Sequence, residues 1–411
     1  MTEKSNNDCA KCGACTSVCP VYQITGNEAH TARGKLHLIS KLPGHSDSEV
    51  YAEILSKCLL CGACAKVCTR KINPPLLLAK ARNQIPKTSG EHPFLQYLLR
   101  KSLSSSNLLA VISAMGVSLD KLTRNLPAAS GLRLRLPLAQ WKAQPQKNNT
   151  QLPHETIAFD EQTSINYFSG CMATYLCPAI SVATANLARS IRKKTLVRQE
   201  GQNCCGLAAF SAGKLSEAQN LAKKNILAFE SNQKPILTSC GSCFKHLKDY
   251  PELLADDPDW QGRAKDFADR ILEFSAFLLQ DNKVGSGDKH EKKTFVSTKI
   301  FYHDPCHLRH NDKSTKAPRT LLNSIPGVII VEMPDGPRCC GHGGLFHLAR
   351  PRLSKNIRNV FMEDFESLTV DTLTSTCSAC LIQLQTSLVE TNKSTPVKHL
   401  AVLLEELISG S

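Results

Sequence analysis

Two tightly spaced cysteine motifs near the start of the chain constrain its fold more than any other feature. The first has the form CxxCxxCxxxCP and begins at Cys9, and the second has the form CxxCxxCxxxC and begins at Cys58. Three cysteines at this spacing wrap a short loop around three corners of a cubane cluster, while the fourth points away toward another cluster. The motifs therefore predict a ferredoxin-type domain with two [4Fe–4S] clusters.

The fourth cysteine of each motif decides how the two predicted sites are divided. We expect crossed sites, in which the last cysteine of one motif joins the first three of the other. The predicted ligand sets are Cys9, Cys12, Cys15 and Cys68 for one cluster, and Cys58, Cys61, Cys64 and Cys19 for the other. Zinc is the alternative metal. Because zinc sites often use two separated cysteine pairs, two complete quartets favour iron.

The residues between and after the motifs predict an α-helical ferredoxin domain rather than a small β-hairpin type. Apolar residues recur at helical spacing over 32–41 and 48–56, and residues 74–82 form a further predicted helix. Helical spacing also extends over 93–116, and residues 126–151 are rich in Pro, Gly, Asn and Gln and predict a linker. Within this linker, four residues form a candidate patch that contacts lipid or a partner protein: Arg133, Arg135, Trp141 and Lys142. The alternative is that this segment is an arm packed over the domain.

The rest of the chain contains an internal repeat built on five cysteines. A single cysteine, a Cys-Cys-Gly triplet and a CxxC pair occur twice in the same order. The offset between the copies is 135 residues for the first three cysteines and 137 for the last two. The first unit contains Cys171, Cys204, Cys205, Cys240 and Cys243, and the second unit contains Cys306, Cys339, Cys340, Cys377 and Cys380.

The cysteine groups of both units follow short apolar or β-branched runs that predict strands. These runs cover 165–169, 235–239, 299–303, 328–332 and 373–376. The helical stretches that come after them cover 178–192, 214–230, 319–324, 353–365 and 397–408. A strand followed by cysteine and then by a helix predicts an α/β unit with its ligands at the carboxyl ends of parallel strands. Helix N-termini would then face an anionic cluster, which stabilises it.

Five cysteines per unit exceed what one cubane needs, and adjacent cysteines suit a larger or irregular cluster. The alternatives to an iron–sulfur cluster in each unit are a zinc site or a redox dithiol at each CxxC pair.

Cys177 is outside these sets, and we interpret it as a plain thiol because Asp312 stands at the corresponding position. Nearby histidines are candidates for tuning a cluster or moving protons, or are ordinary hydrogen-bonding groups: His303, His307, His310, His342 and His347.

The predicted fold class is α+β multidomain, with an α-helical ferredoxin domain followed by a duplicated α/β Cys-Cys-Gly domain. The ferredoxin domain is expected over 1–87 and a helical arm with the linker over 88–160. The first Cys-Cys-Gly unit is expected over 161–295 and the second over 296–411.

The formal net charge of +14 does not indicate nucleic acid. The basic residues are scattered, and no basic run is interleaved with aromatic residues. Part of the excess positive charge balances anionic clusters, and a surface for anionic lipid or an acidic partner stays open as an alternative.

The first residues contain no apolar signal-peptide core, which predicts a reducing, cytoplasmic location for so many cysteines. Apolar runs such as 108–117 are too short to span a bilayer, so any membrane contact is expected to be peripheral, at the inner face of the cytoplasmic membrane.

These motifs resemble the iron–sulfur subunit of bacterial glycolate oxidase and its lactate-oxidising relatives. The resemblance is carried by Cys19-Pro-Val-Tyr-Gln-Ile-Thr-Gly-Asn-Glu28 and by Ala32-Arg-Gly-Lys35. The paired Cys-Cys-Gly units are also similar to those of the anaerobic glycerol-3-phosphate dehydrogenase small subunit and the heterodisulfide reductase catalytic subunit. The likeness covers residues 9–82 and 165–385.

The resemblance implies that each five-cysteine unit holds a non-cubane [4Fe–4S] cluster besides the two cubanes. It also implies a separate FAD-binding dehydrogenase subunit that oxidises a 2-hydroxy acid, and a quinone or another membrane redox carrier as final acceptor. The sequence agrees with a need for partners. No GxGxxG opens a helix after a strand, and iron–sulfur clusters carry one electron at a time.

The predicted function is an iron–sulfur electron-transfer subunit, an oxidoreductase component whose substrate is oxidised on a partner. One alternative is a heterodisulfide-reductase-like thiol–disulfide reductase subunit, and another is the anaerobic glycerol-3-phosphate dehydrogenase small subunit. A zinc scaffold without enzymatic activity is the fourth possibility.

Overall fold

The structure is a computed structural model that describes residues 9–42, 47–86, 90–104, 163–280, 297–311 and 313–409. The predicted continuation of the arm beyond residue 104 and the linker patch lie outside the described residues. The amino-terminal part contains short helices, which are α1 Ala14–Ser17, α2 Pro20–Thr25, α3 Ala32–Lys41, α4 Glu49–Ser56, α5 Ala63–Lys66, α6 Pro74–Asn83 and α7 Pro93–Leu103.

Capping residues explain where the longer of these helices begin. The Thr31 side chain accepts a hydrogen bond from the Gly34 amide at the start of α3, and the Ser48 side chain accepts one from Tyr51 at the start of α4. Asn73 caps α6, whose first residue is proline. Each cap satisfies an amide that has no partner inside its helix. The described residues of the ferredoxin domain thus confirm the predicted helical type.

Two sheets follow, and both are entirely parallel. The first unit contains β1 Ser164–Tyr167, β2 Thr195–Val197, β3 Ile236–Thr238 and β4 Ile271–Glu273 in the order β2-β1-β3-β4. The second unit contains β5 Thr298–Tyr302, β6 Val328–Val331, β7 Thr372–Ser375 and β8 Val397–His399 in the order β6-β5-β7-β8. The identical strand order confirms the predicted duplicated α/β architecture.

Helices connect the strands of both units, as parallel pairing requires. The first unit contains α8 Pro178–Arg192, α9 Leu207–Ser211, α10 Leu215–Ala228, α11 Gly241–Lys248, α12 Tyr250–Leu253, α13 Pro258–Asp269 and α14 Phe274–Leu279. The second unit contains α15 Cys306–Asn311, α16 Ala317–Asn323, α17 Phe346–Ala349, α18 Pro351–Glu366, α19 Ser378–Glu390 and α20 Leu400–Ser409.

The structure corrects one predicted helix. Residues 397–408 were expected to be helical throughout, but Val397–His399 form β8 and the helix begins at Leu400. The strand pairs with β7, so its backbone groups are satisfied by the sheet rather than by a helix. Strands β2 and β4, which the sequence did not predict, have three residues each.

The two units share one apolar core and are related by approximate two-fold symmetry. Residues of both sheets, including Ile165, Tyr167, Ile300 and Tyr302, belong to a single buried cluster. The first helix of the first unit, α8, packs on the last helix of the second unit, α20. In the same way α14, the last helix of the first unit, packs on α16. The units therefore pair through equivalent elements, as the halves of a symmetric dimer do.

The ferredoxin domain docks onto both units. Helix α6 packs against α10 of the first unit, and helices α2 and α5 pack against α18 and α15 of the second unit. The predicted domain limits near residues 87, 160 and 295 stay predictions, because each falls within residues that the structure does not describe. Among the described helices, none is both long and apolar enough to cross a membrane.

Candidate iron–sulfur sites

The two ferredoxin loops have the same backbone conformation. Lys11 and Leu60 have positive φ angles of 54° and 53°, and each is followed two residues later by a glycine with φ near 86° or 82°. These glycines, Gly13 and Gly62, are the N-caps of α1 and α5. Alternating left-handed residues curl the backbone around a small volume, which suits a loop that wraps a cluster. Because the two loops have the same backbone conformation, both motifs are equally suited to hold an iron–sulfur cluster.

Cys19 lies with the cysteines of the second motif rather than with those of its own. The pKa of Cys61 is raised to about 12, chiefly by burial, and the nearby Cys58 and Cys19 contribute to the increase. Burial also raises the pKa of Cys64 well above its usual range, with the neighbouring Cys61, Cys58 and Cys19 adding to the shift. This neighbourhood agrees with the crossed arrangement. The assignment of Cys68 to Cys9, Cys12 and Cys15 stays a prediction.

We call Cys19, Cys58, Cys61 and Cys64 the second quartet. Two buried cations stand beside it. The Lys35 side chain is fully buried, and its ammonium donates to the His30 carbonyl, which also lies 3.9 Å from the Cys19 sulfur. Burial lowers the pKa of Lys35, while Cys58 and Cys19 raise it.

The Arg82 guanidinium, the second buried cation, donates to the carbonyls of Leu55, Ser56 and Cys58, and to that of Ser211 in the first unit. Sequence analysis did not single out either cation as part of a site. Lys35 lies within the Ala32-Arg-Gly-Lys35 stretch, but nothing local indicates that its side chain is buried.

The five cysteines of each repeat unit meet at the carboxyl ends of the strands, where the sequence predicted them. Cys171 follows β1, and Cys204 and Cys205 follow β2. Cys240 is the N-cap residue of α11, and its counterpart Cys377 is the N-cap residue of α19. Both CxxC pairs therefore lie at a helix N-terminus, where the helix dipole favours thiolate.

The thiols of each unit form a chain of direct contacts. In the first unit, Cys204 lies against Cys171 and Cys205, and these neighbours hold the pKa of Cys204 well below its usual range. Cys243 in turn contacts Cys205 and Cys240. In the second unit, the Cys340 and Cys380 sulfurs are 3.3 Å apart, and Cys380 also contacts Cys377. Cys339 contacts Cys340, and Cys306 lies near Cys340 and Cys377, which help to raise its pKa well above the usual range.

The two units join at equivalent cysteines. Cys240 lies beside Cys377, and Ser242 Oγ lies 3.1 Å from the Cys377 sulfur. The Gly241 amide donates to the Thr376 carbonyl at 2.9 Å across the same boundary. This contact between corresponding residues lies on the approximate two-fold axis. The ten repeat cysteines therefore form one connected group.

The second unit also lies next to the second quartet. Cys61 lies near both Cys306 and Cys339. It is the largest contributor after burial to the raised pKa of Cys306, and it adds a smaller contribution to the raised pKa of Cys339. The contact follows from the packing of α15 on α5. The thiol groups thus follow one another in a fixed order: the second quartet, then the second unit, then the first unit.

Backbone geometry explains the glycine of each Cys-Cys-Gly triplet. Gly206 and Gly341 have φ angles of +92° and +78°, which agrees with the sharp turn that the sequence predicts. A Cβ atom at Gly341 would lie 2.5 Å from the Ser354 carbonyl oxygen. Glycine therefore lets the backbone approach both α18 and the cysteine cluster.

The predicted histidines differ in their surroundings. One ring nitrogen of His303 and the sulfurs of Cys340 and Cys380 all lie within 4.8 Å of one another. His307 lies 3.1 Å from Ser242 Oγ and 3.3 Å from the Leu60 carbonyl, so it links the ferredoxin domain to both units.

His342 and His347 stack on each other with ring centroids 4.2 Å apart, and His310 contacts the guanidinium of Arg309. Of the five, His303 is therefore the one whose ring the structure brings to the sulfur atoms.

The donor set fits thiolate-bound clusters. None of the nineteen cysteines, all of which the structure describes, forms a disulfide, and those of the repeat units are buried or half-buried. Thiol sulfurs grouped closely in a protein interior are donors that iron and other soft metals prefer. The spare cysteine, Cys177, is buried at the N-cap of α8 and packs beside Ala173 and Ile180.

Comparison with known proteins agrees with this geometry. A family model described as "4Fe-4S dicluster domain" matches residues 5–72, and one described as "Cysteine-rich domain" matches residues 165–248 and 300–385. The probable glycolate oxidase iron–sulfur subunit of Bacillus subtilis is 28% identical over 99% of this chain and 95% of its own length. Lactate utilization protein A of Shouchella clausii is 30% identical, over 59% of this chain and 98% of its own length.

The chain belongs to the iron–sulfur subunit family of bacterial glycolate oxidase and its lactate-oxidising relatives. Members of this family are subunits of oxidoreductases, so the chain is an electron-transfer subunit that holds iron–sulfur clusters and works with a catalytic partner subunit. The family likeness extends to a dihydromethanophenazine:CoB–CoM heterodisulfide reductase subunit of Methanosarcina mazei, which is 26% identical over 91% of this chain and 87% of that protein.

Among solved structures, a hypothetical protein from Helicobacter pylori covers 82% of this chain and 71% of its own chain, with 10% identity and a TM-score of 0.44.

The buried Lys35 leads to a first prediction for this family member. Replacing Lys35 by methionine is expected to lower the midpoint potential of the second-quartet cluster by roughly 50–150 mV, since a nearby positive charge stabilises the more negative, reduced form. EPR-monitored redox titration measures the shift. Lys35→Arg, which keeps the charge, and Lys41→Met at the exposed end of the same helix are the controls. An unchanged potential at full iron content would contradict the prediction.

Proposed function

We propose that this chain carries electrons from an FAD-binding subunit, which oxidises a 2-hydroxy acid such as glycolate or lactate, toward a quinone or another membrane carrier. The names of the Bacillus subtilis and Shouchella clausii relatives support the substrate class. The net charge of +14 supports peripheral contact with the anionic inner face of the cytoplasmic membrane.

The continuous order of thiol groups is the observation that carries this proposal. Cys12, the one exposed cysteine, lies in the first ferredoxin loop, and the other groups lead inward through the second quartet and the second unit to the first unit. When bound, iron–sulfur clusters supply one-electron carriers with potentials set by hydrogen bonds, charge and exposure. The chain itself holds the sulfurs at fixed positions, excludes water from most of them and places Lys35 and Arg82 beside the anionic second quartet.

We propose four sites for this role. Two are the crossed cubane sites of the ferredoxin domain. Two are non-cubane [4Fe–4S] sites, one in each repeat unit, where five thiols exceed what one cubane needs. The proposed domain limits are those predicted from the sequence, with each site inside one domain.

The test is anaerobic purification of the chain with its bound partners. Iron and sulfide analysis is expected to give about sixteen irons per chain for four clusters, while about eight would mean that the repeat units are empty. Addition of glycolate, lactate or glycerol 3-phosphate to the complex is then expected to reduce the clusters, and EPR detects which compound does so. Failure of every 2-hydroxy acid to reduce a fully loaded complex would refute the proposed role.

Two cysteine variants of the same complex assign the sites. Cys340→Ser is expected to lower the iron content by about four atoms while the cubane EPR signals remain. Cys177→Ser removes a buried thiol outside the proposed sets and is expected to leave the iron content unchanged. Equal iron loss in both variants would contradict the proposed ligand set of the second unit.

A second candidate function is thiol–disulfide reduction. The likeness to the Methanosarcina mazei heterodisulfide reductase subunit favours it, since that relative matches over 91% of this chain. Turnover of a disulfide substrate by the isolated subunit, with a one-electron donor and no flavin partner, would support this alternative over the first.

A further inference from the structure

The two repeat units have equivalent buried residues at the strand ends that lead to the cysteine clusters. Tyr167 and Tyr302 occupy corresponding positions, and both are buried. The Tyr167 hydroxyl lies 2.9 Å from Ser239 Oγ, and the Tyr302 hydroxyl lies 3.2 Å from the hydroxyl of Thr376, the counterpart of Ser239. The surroundings of the two sites are therefore directly comparable.

The next residue differs: it is Phe168 in the first unit and His303 in the second. Their backbones are held alike, because the Phe168 amide donates to Leu237 and the His303 amide donates to Thr374, each at 2.8 Å. Both side chains are buried. Phe168 packs among apolar residues, with its ring 6.1 Å from that of Phe229. One unit thus has a hydrocarbon ring where the other has an imidazole.

The His303 ring is directed at the sulfur atoms of its own unit. One ring nitrogen lies within 4.8 Å of both the Cys340 and Cys380 sulfurs, and Phe361 packs against the ring at 5.3 Å with an interplanar angle of 79°. An imidazole this close to the two sulfurs has an N–H group within reach of the Cys340 thiolate.

We propose that His303 donates a hydrogen bond to the Cys340 thiolate and thereby gives the metal site of the second unit a higher midpoint potential than that of the first. The inference rests on the proposed metal occupancy of both units. An N–H donor to a cluster thiolate stabilises the reduced form, which has the larger negative charge. Phe168 supplies no such donor, so the duplicated units differ in potential despite equal ligands. His303 is a positioning residue in this scheme, since it acts through the Cys340 sulfur.

Three variants of the anaerobically purified complex test this inference. His303→Phe copies the first unit, His303→Gln keeps an N–H donor, and Phe168→His copies the second unit. Iron and sulfide content is measured first, followed by EPR-monitored redox titration. We expect His303→Phe to lower the potential of one centre and Phe168→His to raise that of another, with both cubane signals unchanged. His303→Gln is expected to retain most of the wild-type potential.

Each other outcome has a definite meaning. Unchanged potentials in both His303→Phe and Phe168→His, at full iron content, overturn the inference. A nitrogen hyperfine coupling of a directly bound imidazole, lost in His303→Phe, also overturns it, because His303 would then be a ligand rather than a donor. If His303→Phe loses iron, Phe168→His and His303→Gln decide the question. Wild-type complex with iron only in the ferredoxin domain refutes the proposed four-site function instead.

Discussion

Replacing Gly34 by alanine is expected to destabilise the ferredoxin domain by about 3 kcal/mol, since overpacking against rigid backbone is among the costlier substitutions. Gly34 lies in the first turn of α3, beneath the 3₁₀ turn Glu28–His30. A Cβ atom there would collide with the Glu28 carbonyl oxygen and lie 2.9 Å from the Ala29 Cα. These are backbone atoms, so relief requires the turn to move away from the helix.

The displaced turn also affects the second quartet. The His30 carbonyl, at the end of that turn, accepts from Lys35 and faces the Cys19 sulfur. We therefore expect Gly34→Ala to lose iron from the second quartet as well as thermal stability. Gly262→Ala in helix α13 is the matched control, because no atom lies within 4 Å of its added Cβ. It is expected to be neutral or to stabilise by up to about 1 kcal/mol. Equal unfolding temperatures and iron contents for the two variants would show that the α3 contact is not tight.

Arg82→Met is expected to destabilise the protein by about 4 kcal/mol, because it leaves several buried carbonyls without a donor. The Arg82 guanidinium is buried between the ferredoxin domain and the first unit, where it donates to Leu55, Ser56, Cys58 and Ser211. Methionine fills much of the volume but donates no hydrogen bond. Thermal unfolding and iron analysis under anaerobic conditions measure the two expected losses.

Arg263→Met is the surface control for Arg82→Met. Arg263 pairs with Glu230 at 2.6 Å, and both side chains are more than one-third exposed. Surface ion pairs contribute about 0–1 kcal/mol, so this variant is expected to unfold near the wild-type temperature. Arg82→Lys supplies fewer donors and should lie between the two. If Arg82→Met and Arg263→Met had the same stability, the domain contact would not depend on the guanidinium.

Much of the fold is predictable because local patterns and the observed elements coincide. Helix α8 occupies the predicted 178–192, since its apolar residues recur on one face and proline marks its start. The strands before Cys171, Cys240, Cys306 and Cys377 also lie within one or two residues of their predicted positions. The failure at 397–408 has a physical cause. A three-residue strand that runs directly into an apolar helix gives no separate signal, and its pairing with β7 is a tertiary contact.

The sequence predicts which cysteines belong to each set, but it does not predict how the sets lie relative to one another in space. Spacing places Cys240 and Cys377 in separate units, and only the packing of those units brings the two sulfurs together. The same holds for Cys61 and Cys306, whose proximity depends on the docking of α5 on α15. Arg82 is one of many arginines in the sequence, and its role follows from the distant carbonyls that it meets in the folded chain. Long-range packing thus determines the order of the thiol groups, and no local pattern encodes it.

Two identical subunits related by a two-fold axis cannot differ at a single position, because every substitution appears twice. Here one polypeptide contains both halves of the arrangement, so the symmetry constrains the backbone and leaves each side chain free. Phe168 can face one cluster of sulfurs while His303 faces the other. Covalent fusion therefore permits two adjacent centres of the same architecture to have different chemistry, which a homodimer of one such unit cannot achieve.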